Sequence, residues 1–279
     1  MKNFITLNDL PSFEAALVLA KSLKKDPYAF EQHAKRKTLG LIFFNPSLRT
    51  RLSTQKAAQN LGFNTFVMNF SNEVWALEFE DGTEMRGIRS EHVREAAAVV
   101  SQYCDVVAIR AFASLKNKEK DEAEIVLNGF AKYASIPVIN MESATEHPLQ
   151  ALADAVTLSE HPTPHKPKIV LTWAPHPKAL PHAVGNSFVK MMEHQDSDFV
   201  IANPEGYDLD PRITKNISIL HNQEEALKDA DFVYAKNWCS YTNYGSILRT
   251  DDEWMLTSEK MDLTKNGKFM HCIPVRRNI

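Results

Sequence analysis

Short apolar runs of strand length alternate with helix-length segments along the whole chain. Parallel strands in one sheet need a crossover of a dozen or more residues between them, which is usually a helix. The alternation therefore predicts an α/β fold, in which parallel sheets carry helices on both faces. The runs are residues 39–44, 65–68, 106–109, 137–141, 169–173, 199–201, 217–220, 232–235 and 269–272.

The pattern is interrupted once, by the proline-rich segment 161–167, and then starts again. A chain of 279 residues is long enough for two domains, each with its own core. We expect two doubly wound parallel-sheet domains, 1–146 and 147–279, the second beginning with an interdomain helix. The active site is expected in the cleft between them.

Composition excludes several classes of function. The net charge of −3 argues against nucleic-acid binding, and no stretch approaches 18 uninterrupted apolar residues. The amino-terminal residues lack the apolar run of a secretory signal, and three cysteines without metal-type spacing do not make a disulfide framework. Glycine-rich nucleotide loops are absent. We expect a cytoplasmic protein without metal, cofactor, nucleic-acid partner or membrane partner.

The run 39–44 ends at Asn45-Pro46, and Ser47-Leu48-Arg49-Thr50-Arg51 follows at the start of a helix. A helix start that follows a strand directs unpaired backbone N–H groups and a positive dipole end at one spot. Two hydroxyls and a forked guanidinium add donors suited to phosphate. Taken alone, the same residues are also typical of a capped helix with two solvated arginines.

Three further positions carry polar groups where strands end or helices begin. His147-Pro148-Leu149-Gln150 places His147 at an N-cap and Gln150 one turn along, where they can bind a carbonyl or carbamoyl group. Arg110 ends an apolar strand, where a charge needs a partner or a cleft. Glu142 follows the next strand end, and it can hold a cationic substrate group or pair with an arginine.

These residues resemble the transcarbamylase superfamily that includes aspartate and ornithine transcarbamylases. Ser47 to Arg51 is similar to the family's S-T-R-T-R motif, with Leu48 in place of threonine. His147 to Gln150 resembles the H-P-x-Q motif, and His271-Cys272-Ile273-Pro274 resembles the H-C-L-P motif of the ornithine branch. The three motifs occur in the family's order and spacing, and the resemblance spans essentially the whole chain.

The resemblance implies roles for named residues. Carbamoyl phosphate is expected to bind Ser47, Leu48, Arg49, Thr50, Trp75, Arg110, His147, Gln150, Cys272 and Ile273. Arg49, Arg110 and His147 are the catalytic members. The family is trimeric, and Trp75 is expected to reach a neighbouring subunit's site; otherwise it anchors its own loop. Catalysis needs no covalent intermediate, so Cys272 contributes backbone and is not a nucleophile, and the Ile273–Pro274 bond can be cis.

The amine substrate is indicated by the second half. The D-x-x-x-S-M-G motif that binds free ornithine is absent, and the loops after residues 169–173 and 232–235 resemble the branch acting on Nα-acylated ornithine. The predicted acylornithine-binding residues are Glu142, His176, Lys178, Lys236 and Arg276. The basic members suit an extra acyl carbonyl or carboxylate. Lys178 is equally compatible with a solvated loop lysine.

The resemblance attributes the choice between acyl groups to one position in the long loop 71–90. In the family the residue before Glu91-His92 discriminates acyl groups, as proline in the succinyl branch and glutamate in the acetyl branch. Ser90 stands there and carries no charge to repel a succinyl carboxylate. N-succinylornithine is therefore preferred as substrate over N-acetylornithine in an arginine-synthesis reaction.

The last residues bear on a further alternative. Family members continue beyond the H-C-L-P motif with a closing helix that supplies another arginine for carbamoyl phosphate, whereas this sequence ends at Ile279. An expectation of another class is therefore a non-catalytic, transcarbamylase-like protein that keeps the anion site without turnover.

Overall fold

The structure is a computed structural model, and it describes residues 2–275. Arg276, one of the predicted acylornithine-binding residues, lies outside the described residues. The strands are β1 Thr38–Phe43, β2 Asn64–Asn69, β3 Leu77–Glu78, β4 Glu91–His92, β5 Val106–Arg110, β6 Val138–Glu142, β7 Lys168–Trp173, β8 Asp198–Ala202, β9 Ser218–Leu220, β10 Phe232–Lys236 and β11 Lys268–Met270. The helices are α1 Phe13–Lys25, α2 Leu48–Asn60, α3 Val93–Tyr103, α4 Lys118–Glu122, α5 Ile125–Tyr133, α6 Pro148–Glu160, α7 Ala183–Met192, α8 Gln223–Leu227 and α9 Ser258–Met261.

The described strands form two large parallel sheets and one two-stranded sheet, β3-β4, which confirms the α/β prediction. One sheet has the order β2-β1-β5-β6 and the other β11-β10-β7-β8-β9. Every neighbouring pair in both sheets runs parallel. In each sheet the chain builds outward from the first strand on one side and then returns to build on the other, which is the doubly wound arrangement.

Two compact units contain these sheets. The first is made of residues 1–113 and 119–152, and the second of residues 114–118 and 153–279. The division falls inside α6, and the short segment 114–118 packs with the second unit although it lies far from it in sequence. The predicted boundary at residue 146 stays a prediction.

Both faces of the first sheet are buried, as strands of a parallel sheet require. On one face Ile42, Val107 and Ile109 pack with residues of α3 and α5. On the other, Leu41 and Phe43 pack with Ala58 of α2. Successive residues of β1 alternate between the two clusters because side chains along a strand point to opposite faces.

Large aromatic side chains fill the second unit. Trp173, at the end of β7, donates its indole N–H to the Trp238 carbonyl at 2.8 Å. Trp238 in turn donates its own indole N–H to the Tyr207 carbonyl at 2.7 Å. Both tryptophans are essentially inaccessible to solvent, and each satisfies its only polar atom. These bonds fix the backbone that follows β7 and β10, where the predicted substrate loops begin.

Two predicted elements differ from those observed. The sequence predicts one helix from Glu119 to Tyr133, but the structure has two, α4 and α5, separated at Glu124 with φ of 49°. The segment 91–103 is predicted as helix, but its first two residues form β4, which pairs in parallel with β3 from the long loop. Residues distant in sequence cause both differences, through contacts that local propensity does not register.

No helix among residues 2–275 is both long and apolar enough to cross a membrane.

Candidate active site

The predicted site residues of the first unit lie at its topological switch point. The sheet order changes direction between β1 and β5, and ligands of open α/β sheets bind beside the carboxyl ends of such strands. The loop after β1 carries Ser47, β5 ends at Arg110, and β6 beside it ends at Glu142. The Phe44 amide donates to the Arg110 carbonyl at 2.9 Å. This bond joins the loop after β1 to the end of β5, one residue beyond strand β1.

Helix α2 begins as the sequence predicts. Ser47 is its N-cap, with extended backbone angles, and its hydroxyl accepts a hydrogen bond from the Thr50 amide at 3.2 Å. Leu48, which stands where the family has threonine, is 68% exposed, so other residues of the chain cover little of its side chain. Arg49 is also exposed, and it makes no hydrogen bond or ion pair with another described residue. The helix start thus presents backbone donors and one available guanidinium to an anion.

Arg110 is the most constrained charge at this edge. It is only 8% exposed, and its Nη1 donates to Glu142 Oε2 at 2.6 Å and to Thr50 Oγ1 at 2.9 Å. Burial lowers the pKa of Arg110, while the neighbouring carboxylate of Glu142 acts in the opposite direction. Its buried Nε–H has no hydrogen-bond partner among residues 2–275. A buried donor without a partner marks a position where a ligand acceptor restores the missing bond.

His147 and Gln150 occupy the predicted helix start. Helix α6 begins at Pro148, so His147 precedes it, and the His147 carbonyl accepts from the Gln150 amide at 3.1 Å. His147 Nε2 lies 3.5 Å from Glu142 Oε2, the oxygen that Arg110 contacts. We call Thr50, Arg110, Glu142 and His147 the Arg110 cluster. Its members come from four separate segments of the chain, and the structure brings all four together.

Two residues of this site were not predicted. Asn45 accepts the Phe112 amide through Oδ1 at 2.6 Å, which fixes the backbone just past Arg110. The ring of Phe112 lies under the Arg110 guanidinium, 4.3 Å from its central carbon to the ring centroid. Asn45 lies two residues after the end of β1 and precedes a proline, which is a sequence signal for a turn but not for the residue that Asn45 contacts. Phe112 gives no signal of its own.

The long loop carries Trp75 and Ser90. Trp75 is 58% exposed, and its indole N–H donates to Glu91 Oε2 of the same chain at 2.7 Å. Ser90 is exposed, and its amide donates to the Ala76 carbonyl at 3.1 Å. The pairing of β3 with β4 therefore places the predicted acyl-discriminating residue next to the predicted interface tryptophan.

A buried carboxylate stabilises the same loop. Glu78 accepts the Glu80 amide at 3.0 Å, Arg89 Nη1 at 2.6 Å and the Phe79 amide at 2.8 Å. These bonds, led by that of the Glu80 amide, lower the pKa of Glu78 to about 2. The carboxylate is therefore charged at neutral pH, and its bond to Arg89 joins the two ends of the acidic segment between them.

The predicted residues of the second unit also lie at a switch point, between β7 and β10. His176 and Lys178 follow β7, and Lys236 ends β10. Two hydrogen bonds join the loops: the Ala174 amide donates to the Lys236 carbonyl at 3.2 Å, and Asn237 Nδ2 donates to the Ala174 carbonyl at 2.7 Å. The Lys178 side chain is exposed, while His176 and Lys236 are half-buried.

His271 completes this basic group at the end of the neighbouring strand β11. Burial lowers the pKa of His271, and the charges of Lys236 and His176 act in the same direction against a backbone hydrogen bond with Cys272. We call His176, Lys178, Lys236 and His271 the basic set. Cys272 is half-buried, Ile273 is 60% exposed, and the Ile273–Pro274 bond is cis.

The two clusters suit different chemistries. The Arg110 cluster and the start of α2 supply a buried guanidinium, an imidazole and helix N–H groups, which can bind a phosphate and polarise a carbonyl. The basic set consists of two lysines and two histidines, whose cationic and imidazole donors suit a carboxylate ligand. The described residues contain no group of three or more His, Cys, Asp or Glu side chains arranged for a metal ion.

Two families of domains match the chain. Residues 2–160 match the carbamoyl-phosphate-binding domain of aspartate/ornithine carbamoyltransferases, and residues 182–279 match the Asp/Orn-binding domain of the same enzymes.

Individual relatives are more specific. An N-succinylornithine carbamoyltransferase of Bacteroides fragilis is 47% identical over 281 residues, covering 100% of this chain and 88% of that protein. An N-acetylornithine carbamoyltransferase of Xanthomonas campestris is 36% identical over 302 residues, with 100% and 88% covered. Among solved structures, an N-acetyl-L-ornithine transcarbamylase variant complexed with PALAO matches with a TM-score of 0.93 and 35% identity, covering 100% of this chain and 90% of that one.

We predict that Glu142→Ala destabilises the first unit by about 3–5 kcal/mol, because it leaves the buried Arg110 guanidinium without its carboxylate. Urea-induced unfolding measures the loss. Glu84→Ala is the matched control: Glu84 contacts Arg86 at 2.7 Å, but both side chains are at least 74% exposed, so its loss costs at most about 1 kcal/mol. Equal losses in the two variants contradict the prediction.

Proposed function

Since the chain belongs to the aspartate/ornithine carbamoyltransferase family, and is therefore a carbamoyltransferase, we propose that its amine substrate is N-succinyl-L-ornithine. The products are N-succinyl-L-citrulline and phosphate, and the reaction serves arginine synthesis. The observation that supports this most is that Arg110 and His147, from separate motifs, meet at the Glu142 carboxylate, while the same Arg110 nitrogen also donates to Thr50.

The reaction is a transfer between an anhydride and an amine. The neutral side-chain amine attacks the carbonyl carbon of carbamoyl phosphate and forms a tetrahedral oxyanion. The bond from that carbon to the phosphate oxygen then breaks, and the departing phosphate takes up the proton that the amine nitrogen loses. Phosphate leaves with the bonding electron pair, so no nucleophile of the protein is required.

We assign the binding of carbamoyl phosphate to the first unit. Ser47, Arg49, Thr50 and the Leu48 amide hold the phosphate at the start of α2, where the exposed Arg49 has no competing partner among the described residues. Arg110 and His147 donate to the carbonyl oxygen as it becomes an oxyanion, and Gln150 binds the carbamoyl amide.

Glu142 and the basic set bind the acylornithine. Burial lowers the pKa of His271, and the charges of Lys236 and His176 act in the same direction, which favours the neutral imidazole. Two lysines and His176 complement a succinyl carboxylate, which an acetyl group lacks. Arg276 is assigned to the same substrate from the family motif, and Cys272 and Ile273 contribute backbone groups to carbamoyl phosphate.

The succinyl group is favoured over acetyl by two observations. The succinyl-named relative is 47% identical, whereas the acetyl-named one is 36% identical. An N-acetyl-L-ornithine transcarbamylase in which one glutamate is replaced by serine was crystallised with carbamyl phosphate and N-succinyl-L-norvaline, and it matches this chain with a TM-score of 0.90. We infer that Ser90 stands at the position of that glutamate.

N-acetylornithine is the second candidate substrate. The observation that favours it is the fold comparison, since N-acetyl-L-ornithine transcarbamylase structures match the whole chain with TM-scores of 0.90 to 0.93. A common fold does not decide between acyl groups, because one side chain at the acyl position is sufficient to change specificity.

We also propose a cytoplasmic homotrimer in which Trp75 reaches a neighbouring subunit's site. The support is the position of Trp75 in an exposed loop, where a single side-chain hydrogen bond to Glu91 holds a large aromatic surface in water. Sedimentation of the native protein is expected to give three chain masses, and Trp75→Ala is expected to lower activity. A monomer with undiminished Trp75→Ala activity contradicts the assembly.

Substrate specificity tests the proposal directly. Incubation with carbamoyl phosphate is expected to give ureido product fastest with N-succinylornithine, more slowly with N-acetylornithine and least with ornithine. Colorimetric detection of the ureido group measures the rates. Product with ornithine alone contradicts the acylornithine assignment, and binding of phosphate without any product supports a non-catalytic protein.

We predict that Ser90→Glu reduces kcat/KM for N-succinylornithine about tenfold or more, because the new carboxylate repels the succinyl carboxylate. The rate with N-acetylornithine is expected to change much less. Ser90→Gln serves as the control, because glutamine has the size of glutamate without its charge. This variant is expected to retain most of the activity with N-succinylornithine. A parallel fall for both substrates, or an equal effect of glutamine, argues against a charge-based discrimination at Ser90.

A further inference from the structure

Glu124 lies at a break between two helices that the sequence predicts as one. Its φ of 49° and ψ of 44° are left-handed, a conformation that is strained for a residue with a Cβ. It is the N-cap of α5, yet its side chain makes no capping hydrogen bond. Neither the backbone conformation nor the residue type is what a helix start prefers.

The Glu124 carboxylate instead binds the segment 143–145. Oε1 accepts hydrogen bonds from Ser143 Oγ, the Thr145 amide and Thr145 Oγ1, each at 2.7 Å, and Oε2 accepts the Ala144 amide at 3.2 Å. Burial raises the pKa of Glu124, and these four bonds oppose the rise. This half-buried carboxylate forms no ion pair with another residue of 2–275, and the donors of this segment compensate for its lost hydration.

This segment separates two members of the Arg110 cluster. Glu142 precedes Ser143, and His147 follows Glu146. The turn between them is closed by the Ser143 amide, which donates to the Glu146 carbonyl at 2.8 Å. That bond gives the turn its shape, but it does not fix the turn relative to β5, where Arg110 lies. Asn140 of β6 also holds the turn, since its Nδ2 donates to Ser143 Oγ at 3.0 Å and to the Glu146 carbonyl at 3.5 Å. The bonds from Glu124 attach the turn in addition to the start of α5.

We propose that Glu124 is a positioning residue for carbamoyl transfer, acting by holding the 143–146 turn so that Glu142 and His147 face Arg110. The inference rests on the proposed function, since it concerns the geometry of the same site. A structural explanation on its own does not require this residue: a serine or aspartate would cap α5 without left-handed strain or a buried charge. The left-handed backbone and the partly buried charge of Glu124 are explained if its side chain must reach the turn.

The phosphate part of the site is positioned by a different element. Ser47 and Arg49 belong to the start of α2, which follows β1, whereas the 143–146 turn follows β6, and β5 lies between these two strands in the sheet order. Loss of Glu124 should therefore separate turnover from phosphate binding. A defect in the folding of the whole unit would change both together.

The experiment compares Glu124→Gln and Thr145→Val with the wild-type protein. We expect Glu124→Gln to lower kcat about tenfold to a hundredfold, because a displacement of catalytic groups by about 1 Å has effects of that size. The inhibition constant of inorganic phosphate should remain within about twofold of the wild-type value. Thr145→Val removes one donor from the turn side and should lower kcat in the same direction by less. Glu124→Asp should recover part of the activity that glutamine loses.

Asp105→Asn is the matched control. Asp105 also accepts a backbone amide, that of Thr38 at 2.8 Å, but at the amino edge of the same sheet. It is expected to lower the urea midpoint and leave kcat unchanged. If Glu124→Gln does not fold, Thr145→Val decides the question.

The outcomes separate two failures. An active wild-type protein whose kcat is unchanged in Glu124→Gln and Thr145→Val overturns the positioning role alone. A fall in kcat matched by an equal loss of phosphate affinity also overturns it, since that is the result of a general structural defect. A wild-type protein without activity on any ornithine derivative overturns the proposed function instead.

Discussion

The buried ion pair between Arg110 and Glu142 is the interaction on which the organisation of the first unit depends. A guanidinium with 8% exposure is costly unless its charge and donors are compensated, and the Glu142 carboxylate at 2.6 Å supplies the charge. Thr50 and the Phe112 ring occupy two further sides of the group. Because these partners come from α2, β6 and the segment after β5, the arginine can be buried only when all three are in place. Site and core therefore form together.

The topology explains why the two functional clusters have the same design. In each unit the first strand has its neighbours built on opposite sides, β2 and β5 around β1, and β8 and β10 around β7. The loops that leave such a pair of strands diverge at the carboxyl edge and leave space between them. The first unit fills that edge with an arginine, a histidine and a helix start. The second fills it with lysines and histidines, and hydrogen bonds of Trp173, Trp238 and Asn237 fix the loops that carry them.

Much of the site was predictable because it consists of contiguous motifs. Ser47 caps α2 and Pro148 begins α6 as local chemistry requires, so these two ends are set by residues within four positions of one another. The contacts between distant segments around Arg110 were not predictable in this way. Asn45 and Phe112 are 67 residues apart, and Glu124 and Thr145 are 21 apart, yet each pair is joined by a hydrogen bond. Nothing in the local sequence at Glu124 indicates a helix break, because its cause is the 143–146 turn.

The sequence alone determined that the chain forms parallel α/β units and belongs among the transcarbamylases, because strand-length apolar periodicity and short catalytic motifs are properties of neighbouring residues. It also predicted which side chains carry the chemistry. Tertiary structure alone decided which of them meet: that Glu142 pairs with Arg110 and approaches His147, that Trp75 donates to Glu91 beside Ser90, and that Glu124 leaves its helix to hold a distant turn. These are contacts between residues far apart in the chain. Their energies depend on burial and distance, which exist only once the sheet has brought the strand ends to one edge.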